Sequence, residues 1–151
     1  LARPLHEPAA LGDAARGLGL AFGAFPPTRR AASHARRSGL VTIGGAPNLL
    51  RGRSHAGNVA TQTLATEGVL DVLSSDYVPG SLLQAAWLLA GETRTGLAAA
   101  VRMVSAHPAQ ALGLHDRGRI ACGLRADVVR VREVQGHPVV CAVWNQGRRV
   151  V

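Results

Sequence analysis

The sequence contains no lysine. All 17 of its cationic side chains are arginines, and against 9 carboxylates they leave a net charge of +8 and an isoelectric point near 11.5. All-arginine usage in an Ala- and Gly-rich chain is also what a GC-rich coding sequence produces, so the charge alone does not mark a nucleic-acid binder. The arginines are scattered (Arg29/Arg30, Arg36/Arg37, Arg51/Arg53, Arg148/Arg149), and aromatic residues make up only 3% of the chain. Clustered cations and stacking platforms, which nucleic-acid surfaces need, are therefore missing, and no nucleic-acid partner is expected. The shortage of aromatics also predicts a core built mainly from Ala, Leu and Val.

Cysteine is scarce as well. Cys122 and Cys141 are too few for a disulfide framework, and neither has a partner at metal-ligand spacing. Two buried thiols in a cytoplasmic protein are expected. No apolar run reaches the roughly 20 residues that span a bilayer, so no membrane partner is expected either. The opening residues include Arg3, Pro4 and Glu7, which is not a signal-peptide pattern. There is no internal repeat and no low-complexity linker. The 151 residues are 47% apolar, which suits one globular domain with a core of its own. The chain opens on Leu1 and not on Met, and is expected to be a piece of a longer protein.

Local patterns predict an α/β fold. Residues 9–19 read as a short helix closed by Gly17-Leu18-Gly19, and Leu20 to Phe25 as a strand ended by Pro26-Pro27. Thr28 caps a helix that runs to Gly39. Leu40 to Ile43 is a second apolar β-run, broken by Gly44-Gly45-Ala46-Pro47. Val59 to Glu67 predicts a helix, and Leu70 to Ser74 a third strand leading into Asp76. This alternation is the rhythm of βα units with parallel strands. Two helices follow, one over 81–92 after Pro79 and one over 96–106 stopped by His107-Pro108. Their spacing of three and four makes Leu83, Trp87 and Met103 members of faces packed on a sheet. From Gly118 onward, short β-runs separated by Gly and Pro read as antiparallel strands. Residues 1–117 are thus expected to form βα units and 118–151 a separate antiparallel part. Three parallel strands make a poor domain alone, because a parallel sheet needs covered faces and protected edges. This points to the C-terminal part of a larger α/β barrel.

The chemistry is expected between Gly44 and Tyr77. A Gly-rich loop carries Arg51, Arg53, His55 and Asn58, and shortly afterwards an apolar run ends in Asp76. A buried β-run that delivers a carboxylate at its C-terminal end is how α/β barrels place catalytic groups. The arginines suit an anionic, phosphate-bearing substrate through charge-assisted, bidentate bonds. The competing structural role for Asp76 is an N-cap ahead of the helix after Pro79. His34, His115 and His137 lie in helix or turn contexts without partner spacing, and no role is assigned to them.

Two blocks carry a family resemblance. Ser105-Ala106-His107-Pro108-Ala109-Gln110-Ala111-Leu112-Gly113-Leu114, then Asp116-Arg117-Gly118-Arg119-Ile120 and Gly123-Leu124-Arg125-Ala126-Asp127-Val128-Val129, resemble the C-terminal signature of the amidohydrolase superfamily. His107 and Cys122 stand where Asn and Pro are usual. The second block is Gly45-Ala46-Pro47-Asn48, Arg51-Gly52-Arg53-Ser54-His55-Ala56-Gly57-Asn58, Ser74-Ser75-Asp76-Tyr77-Val78-Pro79 and Ser81-Leu82-Leu83. It resembles one branch, the diphosphatases of phosphonate degradation, and Phe25-Pro26 with Thr28 is similar to that family's Glu-Phe-Pro-Thr-Thr segment.

The resemblance implies the C-terminal part of a metal-dependent (β/α)8 barrel followed by strands of a small β-sandwich. The implied reaction is hydrolysis of α-D-ribose 1-methylphosphonate 5-triphosphate to the 5-phosphate and pyrophosphate. Asp76 would end the eighth barrel strand, touch a divalent metal (zinc or another transition metal) and take a proton from the attacking water. Asn48, Arg51, Arg53, Ser54, His55 and Asn58 would hold the phosphorylated ribose phosphonate.

Departures from the family pattern are specific. The family's His-x-His pair belongs before Leu1, Pro4 falls where a further histidine belongs, Ala24 replaces a Glu, and Arg53 replaces a glycine. Most metal ligands are therefore expected to be missing, and the 151 residues alone are expected to be inactive. The alternatives are a fragment of another amidohydrolase (a deaminase or deacylase), a non-catalytic remnant, and a basic binding module. Association into a homo-oligomer stays open.

Overall fold

A computed structural model describes residues 22–24, 26–52 and 58–151. The helix expected over 9–19 lies outside the described residues, as do Leu20, Ala21 and Phe25 of the first strand. The first unit alternates strand and helix: β1 (Phe22–Ala24), α1 (Arg29–Arg37), β2 (Val41–Gly45), α2 (Ala46–Leu50), α3 (Thr61–Thr66) and β3 (Val72–Ser74). The strands are parallel in the order β1-β2-β3, with Ala24 beside Ile43 and Gly45 beside Ser74. Their C-terminal ends therefore share one edge.

Local chemistry explains the boundaries. The Thr28 hydroxyl accepts from the Ala31 N–H at 3.1 Å, as expected of an N-cap. At the other end of α1, the Gly39 N–H reaches the Arg36 carbonyl and the Leu40 N–H reaches that of Ala35, a Schellman closure. Leu40, now buried, starts the turn into β2. The β2 run does not break at Gly44. It continues through Gly45 and passes directly into α2, because Pro47 has no N–H to lose in a first helical turn.

The helices α4 (Ser81–Glu92), α5 (Leu97–Arg102) and α6 (Ala106–Ala111) follow. The expected stop at His107-Pro108 is a start instead. α5 ends at Arg102, and His107 and Pro108 lie in the first turn of α6, where the N–H that proline lacks would have no helical acceptor anyway. The core joins Ala32, Ala46, Leu49, Leu64, Leu73, Ala85, Ala86, Leu89, Ala100 and Met103. It is mostly Ala and Leu with Met103; of the valines expected beside them, Val72 is buried among the described residues, while Val59, Val69 and Val104 are only partly buried at the margin. In α4 the buried residues are Ser81, Ala85, Ala86 and Leu89, all on one face. Met103 is buried as expected, but Trp87 turns away from that face and donates its indole N–H to Glu133 at 3.0 Å.

Glu133 belongs to a second sheet, the antiparallel meander β4 (Val128–Val134), β5 (His137–Asn145) and β6 (Arg148–Arg149). The strands expected from Gly118 begin only at Val128; the stretch before it is turn and irregular chain. Both hairpins turn on a Gln-Gly pair with positive φ at each residue, Gln135/Gly136 and Gln146/Gly147, which matches the right-handed twist of the strands. Ala142 is the one buried hydrophobic residue of this sheet among the described residues, while Val129, Val139, Val140 and Val150 are exposed. The expectation of buried thiols fails here. Ala142 takes the inward position on β5, while Cys141 stands unpaired where the β4–β5 register shifts and is half-buried, and Cys122 lies exposed in the turn region before β4.

Candidate active site

The parallel register brings the ends of β2 and β3 side by side, with Gly45 opposite Ser74. Asn48 follows Gly45 by one turn of α2, and Asp76 follows Ser74 in the turn before α4. A methyl group placed on Gly45 would lie 3.2 Å from Asn48 Nδ2 and 3.4 Å from Asp76 Oδ2. The two side chains thus flank the same bare stretch of backbone. The Gly45 carbonyl is held from below by the buried Thr61 hydroxyl, which donates to it at 3.2 Å.

Asp76 is exposed and has φ of 50°, in the left-handed region that only short polar side chains tolerate readily. Its N–H donates to Ser74 Oγ at 3.2 Å, and among the described residues its carboxylate accepts no hydrogen bond. The N-cap alternative fails, because the capping position of α4 is Gly80 and no side chain caps that helix. Strained backbone at an unused carboxylate is a pattern typical of functional positions.

Asn48 and Asn58 line a common cleft with Pro26, Ile43, Gly44 and Gly45. Asn48 Oδ1 is buried there without a hydrogen-bond partner, an acceptor left for a water or a ligand. Arg51 forms the C-cap of α2 and places its guanidinium 5.6 Å from the centre of the Tyr77 ring, directly after Asp76. Asn48, Arg51, Asn58 and Asp76 are therefore gathered around the strand ends. Arg53, Ser54 and His55 lie outside the described residues.

A divalent ion needs three or more protein donors. Among the described residues no three of His, Cys, Asp and Glu come together. Asp76 is a single carboxylate, so these residues do not by themselves fit a metal.

A second set of polar residues, not anticipated from the sequence, lies at the opposite end of the strands. Asp71, just before β3, accepts from the Thr42 N–H at 3.0 Å and from the Thr42 hydroxyl at 2.9 Å. Arg36 approaches its other oxygen at 3.4 Å and also donates to the Gly68 carbonyl. His107 Nδ1 lies 2.9 Å from the Asp71 carbonyl oxygen, tying α6 to the same point. Alternation could have flagged Thr42 as a polar residue at an inward position, but nothing local pairs it with Asp71, 29 residues away.

No protein-family model matches the sequence. In fold, the chain is similar to the crystal structure of an amidohydrolase, with a TM-score of 0.65 and 18% identity over 95% of this chain and 42% of that one. The described elements thus adopt the mixed α/β fold of part of an amidohydrolase. The chain is also 48% identical over 135 residues to the α-D-ribose 1-methylphosphonate 5-triphosphate diphosphatase of Escherichia coli (strain K12). That match takes in 88% of the chain and spans 36% of the length of the relative. The resemblance carried by the two motif blocks is thereby borne out, and over most of its length the chain is similar to this diphosphatase.

Proposed function

We propose that the chain is the C-terminal part of a (β/α)8 amidohydrolase barrel, with residues 118–151 supplying strands of a small β-sandwich. We further propose that the whole protein hydrolyses α-D-ribose 1-methylphosphonate 5-triphosphate to the 5-phosphate and pyrophosphate in phosphonate catabolism, in the cytoplasm. The observation that carries this reading is the 48% identity to a diphosphatase of that name. The exposed valines of the antiparallel sheet support the sandwich, since such a face expects a second layer. The change from parallel to antiparallel pairing supports a division near residue 117.

In this reading Asp76 is the proton acceptor for the attacking water, for which an exposed carboxylate beside a water-sized cleft is suited. Arg51, with Arg53 and His55, holds phosphate oxygens, and Asn48, Ser54 and Asn58 supply neutral hydrogen bonds. A divalent metal would lower the pKa of that water. Asp76 is the one donor to it that the described residues supply, and the rest of the donor set would come from elsewhere in the whole protein.

The test is 31P NMR of the full-length protein with the triphosphate substrate. Release of pyrophosphate is expected, and Asp76→Asn should lower kcat by about 100-fold or more with little change in melting temperature, as for loss of a general base. Unchanged turnover in Asp76→Asn would remove Asp76 from the chemistry, and no pyrophosphate from the unaltered protein would remove the reaction.

A further inference from the structure

Asp76 and Tyr77 are the two central residues of one turn. The Val78 N–H donates to the Ser75 carbonyl at 3.0 Å and closes it. Ser81, buried at the start of α4, holds the turn from behind, its N–H and its hydroxyl donating to the Val78 carbonyl at 3.0 and 2.6 Å. The carboxylate of Asp76 and the ring of Tyr77 are thus mounted side by side on a braced piece of backbone. Tyr77 is half exposed, so its ring is not spent on filling the core.

Across the strand ends, the backbone of Arg51 is fixed in a similar way. Its N–H donates to the Pro47 carbonyl at 3.1 Å, and it stands three residues after Asn48, the spacing that puts two side chains on one helix face. Asn48 and Asp76 flank Gly45, and beyond them the Arg51 guanidinium reaches the Tyr77 ring, 5.6 Å from its centre. That lies within the range over which the negative face of a ring attracts a cation. An arginine at the exposed end of a short helix has many rotamers of similar energy, and the ring selects those that lie beside Asp76. The attraction acts on the charge and flat face of the guanidinium, whereas its N–H donors lie in its plane. One group can therefore meet a ring and phosphate oxygens together.

We propose that Tyr77 is a positioning residue of the site: its ring holds the Arg51 guanidinium beside Asp76, where the cation receives phosphate oxygens. The inference rests on the reading of the strand ends as a phosphate-binding site. It gives Tyr77 a part in substrate affinity and none in proton transfer, and it requires the ring but not the phenol hydroxyl.

The test uses the full-length protein in two arms. In the first, 15N NMR follows the Arg51 Nε–H, assigned by its loss in Arg51→Lys, during titration with inorganic phosphate at ionic strength held constant with chloride. A saturable shift is expected. Tyr77→Ala and Tyr77→Leu should both weaken phosphate binding about two- to five-fold, the equivalent of one exposed cation–π contact, while Tyr77→Phe keeps the parent affinity. In the second arm, with the triphosphate substrate, Tyr77→Ala should raise KM by a similar factor and leave kcat within about two-fold, the pattern of a lost binding interaction. An Arg51 signal that phosphate does not move would overturn the proposal. So would parent affinity in Tyr77→Ala or Tyr77→Leu, or a loss in Tyr77→Phe as large as in Tyr77→Ala. A fall in kcat at unchanged KM would place Tyr77 in the chemistry and overturn it as well. A first arm that runs as expected in a protein that releases no pyrophosphate would remove the diphosphatase reaction and leave the role of Tyr77 standing.

Discussion

Two aspartates five residues apart show how position decides a side chain's use. Asp71 stands at the entrance to β3 and is committed to structure, receiving the backbone N–H and hydroxyl of Thr42, which is wholly buried. Asp76 stands beyond the exit, exposed, with its carboxylate unclaimed by the described residues. Asp71→Ala would strand the Thr42 N–H and take the carboxylate from Arg36, while the Thr42 hydroxyl keeps the Val69 carbonyl at 2.5 Å and Arg36 keeps that of Gly68. A loss of about 1–3 kcal/mol is expected, the desolvation penalty of an unsatisfied buried donor, measured by urea denaturation. Asp71→Asn keeps one acceptor and should lose less. If Asp71→Ala proves as stable as the parent, the Thr42 pair contributes nothing and the pairing of β2 with β3 rests on the core alone.

At the level of elements, the antiparallel sheet is held largely by polar contacts, because Ala142 is the one buried apolar residue of its strands among those described. The Gln146 N–H and then the Arg125 guanidinium hold the Asp127 carboxyl below its ordinary range, against an opposing desolvation effect. Arg117 does the same for Asp116. A depressed carboxylate pKa adds stability that is fully present above the unfolded value near pH 4, about 3.9 for Asp, and is lost as pH falls through the lower folded value. The hairpin should therefore loosen below about pH 4. Amide exchange of Gly147 and Gln146 should accelerate over that range in the parent, and much less in Asp127→Asn, which is already uncoupled at neutral pH. Equal acid sensitivity in both proteins would assign the effect to other carboxylates.

At the scale of the whole molecule, the donor set and the sheet edges lead to one expectation. No three metal-ligating side chains gather among the described residues, and no strand among them pairs with the outer edge of β1 or of β3. The chain of residues 1–151, expressed alone, should carry well under one divalent ion per molecule by elemental analysis after dialysis, and should associate through its open edges and exposed valines. A sharp two-state melt with stoichiometric metal would mean that the ligands are supplied by residues outside the described set.

Much of this architecture was legible residue by residue. Thr28 announced α1 and Gly39 closed it, because caps are decided by a few neighbouring atoms, whereas the Gln-Gly turns of both hairpins emerged only from the structure. His107-Pro108 was misread because proline serves equally after one helix and within the first turn of the next, and only the packing of α6 against Asp71 selects between them. Cys141 was misread because nothing in its neighbours reveals that the β4–β5 register shifts there and leaves it unpaired.

The sequence by itself determined the βα rhythm, the Ala/Leu core and the resemblance to a diphosphatase, since these depend on local chemistry and on residue order. Only the tertiary structure decided that Asn48 and Asp76 meet over Gly45, that Asp71 serves Thr42, and that Arg51 meets the Tyr77 ring. The physical reason is that each of these contacts joins residues far apart in the chain, and strand register, which no short window encodes, brings them together.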